Sequence, residues 1–269
     1  MSSLIRNTVL GSLVILAVPV AEAQEPQSVH LSYTLYSHWL EAAHEDIVMT
    51  MTDHDYSVTS QARAGGVVSL FMKLNVASSA KGIFRGNVAV PQIYESSGRS
   101  RGEDRRVTIR YTDGKPDYAS VTPPENDREI VPEALRLEGT NVFSAFVQLL
   151  RQVRTTGRCD QTFSIFDGLR LSRFTFRTDG QGSVPEAPHD RTGIGLRCAF
   201  SGYQVAGFVK DSRHRQQLSE PHGGMVWFQD VPGAGMQAVR IEFDHPKTGR
   251  MTIILSKSSV EDGAVFGSP

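Results

Sequence analysis

Alternation of apolar and polar residues with a period of two is the feature of this sequence that most constrains its fold. It is most regular in residues 29–34, 106–111 and 239–244, and it recurs in residues 47–52 and 173–177. Neighbouring side chains of a strand point to opposite faces, so this pattern predicts strands with one apolar and one polar face. Such strands build antiparallel sheets, which tolerate water on one side.

One long segment has a helical pattern instead. Within residues 141–154 the apolar side chains recur every three or four positions, namely at Val142, Phe143, Phe146, Leu149, Leu150 and Val153. Thr140 or Asn141 can cap the start of this helix, and Gly157 can end it. A shorter helix is predicted at residues 66–73.

Turn signals separate the predicted strands. Asp113-Gly114, Asp167-Gly168 and residues 179–182 are typical of turns because Asp and Gly accept a positive φ angle. A sheet with a single apolar face has to cover that face, and curling around the long helix would achieve this. We therefore predict a mainly β fold, a strongly curved antiparallel sheet or incomplete β-barrel, with one long helix packed on its concave side.

The N-terminus has the three parts of a secretory signal peptide. Arg6 supplies a lone positive charge, residues 9–20 form an apolar run, and an Ala-x-Ala sequence ends at Ala23. The run is shorter than the roughly 20 residues that span a bilayer, so a retained anchor is the less favoured alternative. We expect residues 1–23 to be cleaved off, leaving residues 24–269 as a single β-rich periplasmic domain without a transmembrane segment.

The two cysteines, Cys159 and Cys198, are read first as a disulfide, because an even number of cysteines in an exported protein is normally oxidised. A metal-binding pair or a reactive thiol are the alternatives, but the sequence has no Cys-x-x-Cys motif. The formal net charge is −1, and the predicted signal peptide removes one arginine and one glutamate, so it stays −1. This near-neutrality argues against a nucleic-acid-binding protein.

An ordered set of landmarks along the chain resembles a known family. The set comprises Gly82-Ile83-Phe84, Pro91-x-x-Tyr94, Arg106-Val107-Thr108-Ile109-x-Tyr111, Val131-Pro132, Cys159, Phe166-Asp167-Gly168, Arg170, Cys198, Gly207 and Met225-Val226-Trp227. It is similar to the proteobacterial exported proteins with domain of unknown function 3108. Leu169 stands where members usually carry Arg, and Thr140-Asn141 where they tend to have Asp-Pro. The resemblance implies a periplasmic β-rich protein without established activity, in the neighbourhood of cell-envelope maintenance.

Candidate chemical groups are few. On a strand, a single metal could bind only two of Asp53, His54 and Asp55, because neighbouring side chains point to opposite faces. In a turn these three residues are more often simply solvated. Met49 and Met51 would share a strand face, which suits copper but is more commonly core packing. Glu45 and Asp46 are adjacent carboxylates, so they belong to opposite faces of a strand. From all of these candidates we predict no metal site and no cofactor.

Phe166-Asp167-Gly168 has two readings. Asp167 could be a binding carboxylate, or the Asp-Gly pair could form a hairpin turn with Phe166 in the core, and we favour the turn. Arg170 and Arg173 could pair with acidic residues or face solvent, and they receive no site role. No Gly-x-Ser-x-Gly motif is present.

These observations lead to three functional hypotheses. The first is a non-enzymatic periplasmic protein of the cell envelope whose curved sheet binds a lipid or lipoprotein component and so supports envelope integrity. The second is an interaction module that contacts another envelope protein and has no small ligand. The third is an unrecognised hydrolase. An open apolar cavity would favour the first, whereas a helix that fills the whole concave face would favour the second.

Overall fold

The protein was analysed as a computed structural model. The described residues are 27–66, 69, 73–100, 102–186 and 191–261. The predicted signal peptide and its cleavage site therefore lie outside the described residues, as does most of the short helix predicted at residues 66–73.

Thirteen strands within the described residues form one antiparallel sheet. Their bounds are β1 Ser28–Ser37, β2 Leu40–Met51, β3 Asp55–Ala64, β4 Asn75–Arg85, β5 Val88–Ser100, β6 Glu103–Thr112, β7 Lys115–Thr122, β8 Gln161–Phe166, β9 Leu171–Ser183, β10 Ile194–Ala206, β11 His222–Val231, β12 Gly235–His245 and β13 Gly249–Glu261. The spatial order is β7-β6-β5-β4-β3-β2-β1-β13-β12-β11-β10-β9-β8. The first and last strands therefore pair in the middle of the sheet, and β7 and β8 are its edge strands. The mainly β, antiparallel prediction is confirmed.

Three helices accompany the sheet in the described part of the chain, namely α1 Glu133–Arg136, α2 Val142–Thr156 and α3 Arg215–Ser219. Of these, α2 is the long helix predicted from the apolar spacing. Asn141 caps it, because its side-chain oxygen accepts a hydrogen bond from the Ser144 backbone N–H at 2.9 Å. Gly157 ends it with a φ of 65°, a conformation that glycine adopts without strain.

The turn predicted at residues 179–182 is wrong. These residues lie within β9 and continue to pair with β10. Gln181 lies opposite Leu196 and Thr178 lies opposite Cys198, so two residues of β9 face one residue of β10. Gly180 has a positive φ because it belongs to this bulge, and the chain does not reverse there. The Asp113-Gly114 and Asp167-Gly168 turns do connect consecutive strands.

Most of the buried apolar side chains of the strands and of α2 belong to a single hydrophobic cluster. We call the face of the sheet that carries them the core face; Leu31, Met49 and Ile109 are examples from three strands. Strand ends define two ends of the sheet. The α2 end has the β2–β3, β4–β5 and β11–β12 turns, and the α3 end has the β1–β2, β8–β9, β10–β11 and β12–β13 connections. No helix of the described residues is long and apolar enough to cross a membrane.

Candidate functional site

Cys159 and Cys198 lie at disulfide distance, with their Cα atoms 6.2 Å apart, and both are completely buried. Cys159 follows α2 in the chain, and Cys198 lies on β10. The pair therefore ties the segment after the helix to the sheet. The Cys159 backbone N–H also donates to the Thr178 hydroxyl on β9 at 3.0 Å, which fixes the same segment a second time.

Both carboxylate oxygens of Asp167 accept hydrogen bonds within its own turn. One carboxylate oxygen accepts from the backbone N–H groups of Leu169 and Arg170, at 2.9 and 2.7 Å. The other accepts from the Arg170 guanidinium at 2.9 and 2.6 Å. The charge of Asp167 raises the pKa of Arg170. This arrangement is that of a structural turn. Gly168 contacts Val107, so the turn packs against the core face of β6.

The other candidate groups do not assemble. Among the described residues, no three His, Cys, Asp or Glu side chains come together in a way that could hold a metal ion. Met49 is 1% exposed and packs in the core. Asp53 belongs to the β2–β3 turn, whose backbone carbonyls accept hydrogen bonds from Arg151 of α2 at 3.1 and 3.2 Å. Arg173 pairs with Glu138 at 3.0 Å.

A group of aromatic side chains near the α3 end remains partly exposed on the core face. Phe174 lies on β9, Phe200 on β10 and Phe243 on β12. They share the face of buried Val226 and Cys198, because positions two apart on a strand, and positions paired across strands, point the same way. Partly exposed aromatic rings on a face that is otherwise buried are what a binding surface for apolar groups requires.

Glycines in the partner strands allow these rings to lie flat on the sheet. Gly202 pairs with Phe174, and Gly224 pairs with both Phe200 and Phe243. A Cβ atom on Gly202 would lie 2.4 Å from the Phe174 ring, and one on Gly224 would lie 2.4 Å from the Phe200 ring. Any larger residue would therefore push the rings off the strands.

The three rings line a cavity of about 180 Å³. Leu218 of α3 borders it from the β10–β11 connection, His222 borders it from the start of β11, and Arg170 borders it from the β8–β9 turn. We call the residues Phe174, Phe200, Phe243, Leu218, His222 and Arg170 the aromatic pocket. Its floor is apolar and its rim is polar, which suits a group with an apolar body and a polar end.

The core face of the other half of the sheet is polar at the corresponding level. Ser60, Ser78 and Ser96 pair side by side on β3, β4 and β5, and the hydroxyls of Ser78 and Ser96 are 3.0 Å apart. Glu45 on β2 accepts a hydrogen bond from Ser60, and burial raises the pKa of its carboxyl group. Tyr94 bonds to both Ser78 and Ser96, and burial also raises its pKa. We call Glu45 and the three serines the polar wall.

Two carboxylates influence the Tyr94 hydroxyl electrostatically. Burial is the main cause of the raised pKa of the Tyr94 hydroxyl, and the charges of Asp167 and Glu45 raise it further. Asp167 is paired with Arg170, which borders the aromatic pocket. The sequence predicted a core-facing position for Phe174, and it predicted that Glu45 and Asp46 point to opposite faces, but it gave no signal that Phe174 would line a cavity.

Comparison with known proteins identifies the family. The model of the family described as "Protein of unknown function (DUF3108)" matches residues 32–253, which run from β1 to β13. The chain belongs to the DUF3108 family. The match covers β2 to β12, parts of β1 and β13, α2 and both cysteines, so most of the hydrophobic core of this DUF3108 protein lies within the family unit.

One solved structure similar to this DUF3108 protein is the crystal structure of a β-barrel-like protein of domain of unknown function DUF1849 from Brucella abortus. The two share 11% sequence identity with a TM-score of 0.46, over 88% of this chain and 98% of the other. No curated protein matches the chain.

Proposed function

We propose that this protein binds an apolar or amphipathic component of the bacterial cell envelope, a lipid or a lipoprotein segment, and catalyses no reaction. The observation that carries the proposal is the partly exposed aromatic pocket on the core face. Burying apolar surface contributes about 25 cal/mol per Å², so three phenylalanine rings left partly open to water offer a ligand a substantial gain.

The proposal includes a shape in which the sheet curls around α2, so that the helix lies on its concave side. Support comes from the strands that the helix contacts, which are β4 and β5 in one half of the sheet order and β8 and β12 in the other. Tyr56 of β3 donates to the Ser144 hydroxyl at 2.7 Å, and Arg154 donates to the Ala234 carbonyl before β12 at 3.0 Å. A flat sheet could not bring such distant strands to one helix.

The helix then fills only one end of the concave face. Gln148 bonds to the Ala89 backbone N–H at 2.9 Å, and Arg151 bonds to the β2–β3 turn. Thr155 accepts from Asn87 in the β4–β5 turn at 3.3 Å. All of these partners lie at the α2 end, whereas the aromatic pocket lies towards the α3 end. This partial filling favours a ligand-binding protein over a module whose concave face is completely occupied.

Access to the aromatic pocket is controlled by α3. The cavity of about 180 Å³ is smaller than the roughly 300–1,000 Å³ of typical ligand pockets, so an acyl chain enters only when α3 moves away. Few contacts oppose this movement. Arg215 pairs with Glu129 at 2.5 Å and stacks on Phe208 at 4.5 Å, and His222 contacts the Gln217 carbonyl at 2.7 Å.

Two exposed apolar side chains at the α3 end fit an envelope ligand. Trp39, in the β1–β2 turn, is 81% exposed, and Ile130, between β7 and α1, is 91% exposed. Tryptophan is favoured where an apolar phase meets water, as at a membrane surface. A lipid that is delivered or taken up at this end would contact both side chains. A periplasmic location agrees with the disulfide, which needs an oxidising compartment.

The second candidate function is a protein-interaction module, and one observation favours it. A cavity of about 520 Å³ borders the open edge strand β7 and includes Val121, Ile130 and Phe166. A partner could add an extended segment at this edge. We assign no hydrolase activity, because Asp167 and Arg170 bond to each other within one turn.

A fluorescence titration distinguishes these functions. We expect the apolar dye N-phenyl-1-naphthylamine to bind the wild-type protein and to become brighter as it leaves water. Phe200→Ser should weaken this binding several-fold because it removes a ring from the pocket. Ile194→Ser is the matched control, since Ile194 begins the same strand, is 63% exposed and lies at the α2 end. Equal binding by the wild type and both folded variants would contradict the lipid-binding proposal.

A further inference from the structure

A second cavity, of about 690 Å³, lies at the α2 end of the sheet, and the aromatic pocket does not include any part of it. Its walls are the C-terminal part of α2, the start of β1, the end of β2 and the β11–β12 turn. Its volume is within the range of typical ligand pockets. It opens to solvent, because several of the residues that line it are exposed, namely Asp53, Arg154, Thr155 and Gly233. We call it the α2-end cavity.

The apolar part of the α2-end cavity consists of a valine and three methionines. Val29 pairs with Met49 across β1 and β2, and Met51 lies two positions further along on the same face. Met236, at the start of β12, lines the cavity from the other half of the sheet. Val29, Met51 and Met236 remain partly exposed. Methionine is unbranched and flexible, so these side chains can adapt to an alkyl chain.

The polar part of the same cavity includes Arg151 and Arg154, which lie three positions apart on one face of α2. Arg151 donates to two backbone carbonyls of the β2–β3 turn at 3.1 and 3.2 Å. Arg154 donates to two backbone carbonyls around the start of β12 at 3.0 and 3.3 Å. A guanidinium group has five N–H donors, so each arginine is held in place and still has donors for a ligand. The Nε atom of Arg151 is buried without a hydrogen-bond partner.

The charge of these two arginines is not neutralised by an ion pair. Within the described residues, neither of them pairs with an aspartate or a glutamate. Asp53 is the one carboxylate among the residues that line the cavity, so two cationic side chains stand against one anionic one. Methionines alone would also suit a soft metal ion, but two arginines in the same cavity repel a cation.

We propose that the α2-end cavity binds an amphiphile with a single alkyl chain and an anionic headgroup, a carboxylate or a phosphate. Arg151 and Arg154 bind the headgroup, because the planar guanidinium group matches the oxygens of both kinds of anion. The alkyl chain lies against Val29 and the three methionines. This site is separate from the aromatic pocket, so it goes beyond the proposed function and does not depend on it.

Two fluorescent dyes that differ in one anionic group test the proposal on the full mature protein. Anilinonaphthalene sulfonate has the ring system of N-phenyl-1-naphthylamine and carries a sulfonate in addition. We expect the sulfonate dye to bind the α2-end cavity. Dodecanoate should displace it at a low concentration and dodecanol at a higher one, and acetate should not displace it, because the site needs both the anion and the alkyl chain.

Arg154→Gln should weaken binding of the sulfonate dye about tenfold, because it removes a charged donor, and should leave binding of the neutral dye unchanged. Phe200→Ser should have the opposite pattern. Asp53→Asn should strengthen binding of the sulfonate dye, since it removes the negative charge that borders the cavity. Arg106→Gln is the matched control, because it removes the same charge from an exposed position on β6.

The outcomes separate this site from the proposed function. If the neutral dye fails to bind but the sulfonate dye responds to Arg154→Gln, the aromatic pocket is wrong and the anion site stands. Equal binding of the sulfonate dye by Arg154→Gln and Arg106→Gln overturns the anion site. Displacement by acetate or dodecanol as strong as that by dodecanoate also overturns it. Circular dichroism checks that Arg154→Gln folds. If it does not, Asp53→Asn decides, because unchanged or weaker binding of the sulfonate dye contradicts the proposal.

Discussion

Single glycines determine whether the aromatic pocket can exist. Gly224 and Gly223 are neighbours on β11, but only Gly224 lies under a ring: its Cβ would be 2.4 Å from Phe200, whereas that of Gly223 would have no atom closer than 3.8 Å. Neither glycine has a positive φ, so the difference between them is one of space. Close packing makes a single added methyl group costly where neighbours cannot move.

We therefore predict that Gly224→Ala destabilises the protein by about 1–3 kcal/mol and weakens dye binding, because its Cβ would lie 2.4 Å from the Phe200 ring and 2.5 Å from the Glu242 backbone oxygen, and both would have to move. Gly223→Ala should change the free energy of unfolding by less than about 0.5 kcal/mol. Urea denaturation of both variants measures the difference. Equal stabilities for Gly224→Ala and Gly223→Ala would show that Gly224 is not closely packed against Phe200 and β12.

The raised pKa of Glu45 predicts how stability changes with pH. Because its carboxyl group holds its proton more tightly in the folded state, the wild-type protein loses stability as the pH rises from the ordinary value of 4.5 through the raised pKa. Glu45→Gln lacks this loss. Without ligand, the variant should therefore be more stable than the wild type at pH 8 and similar to it at pH 4, by chemical denaturation. A difference that is the same at both pH values would exclude a desolvated carboxylate.

At the scale of elements, α2 could be predicted almost completely, whereas its surroundings could not. The helix was expected at residues 141–154 and spans Val142–Thr156, because its apolar spacing and its caps are local signals. Its partners at the α2 end are turns from distant parts of the chain. Residues 179–182 were expected to reverse the chain, but they form a bulge within β9. This bulge depends on pairing with β10, which a local sequence pattern does not encode.

The disulfide fixes the segment after α2 to β10, so its loss should loosen the connection between helix and sheet. Cys159 and Cys198 are 39 positions apart in the sequence, for which the chain-entropy model gives about 4 kcal/mol of stabilisation. The Cys159→Ala/Cys198→Ala double variant should unfold at a clearly lower guanidinium concentration. Wild-type protein reduced with dithiothreitol is the control and should shift similarly. An unchanged midpoint in both would mean that the two thiols are not joined in the folded protein.

For the whole molecule, sequence patterns sufficed for the mainly β class and for antiparallel pairing, because period-two alternation is repeated along the chain. They did not predict the order of the strands, in which β1 pairs with β13 at the centre of the sheet, since that pairing joins residues more than 200 positions apart. For the same reason the aromatic pocket was missed. Phe174, Gly202, Phe200 and Gly224 come from three strands whose register is set by the assembled sheet.

Native mass spectrometry tests the central claim, that an envelope component occupies the open part of the core face. The mature protein would be purified from periplasm and measured before and after mild organic extraction, beside Phe200→Asp. We predict a lipid-sized, extractable adduct on the wild-type protein, no adduct on the variant, and a polypeptide that begins at Gln24 and is two protons short of the reduced mass. A bare wild-type mass before extraction, or the same adduct on the folded variant, would contradict the account.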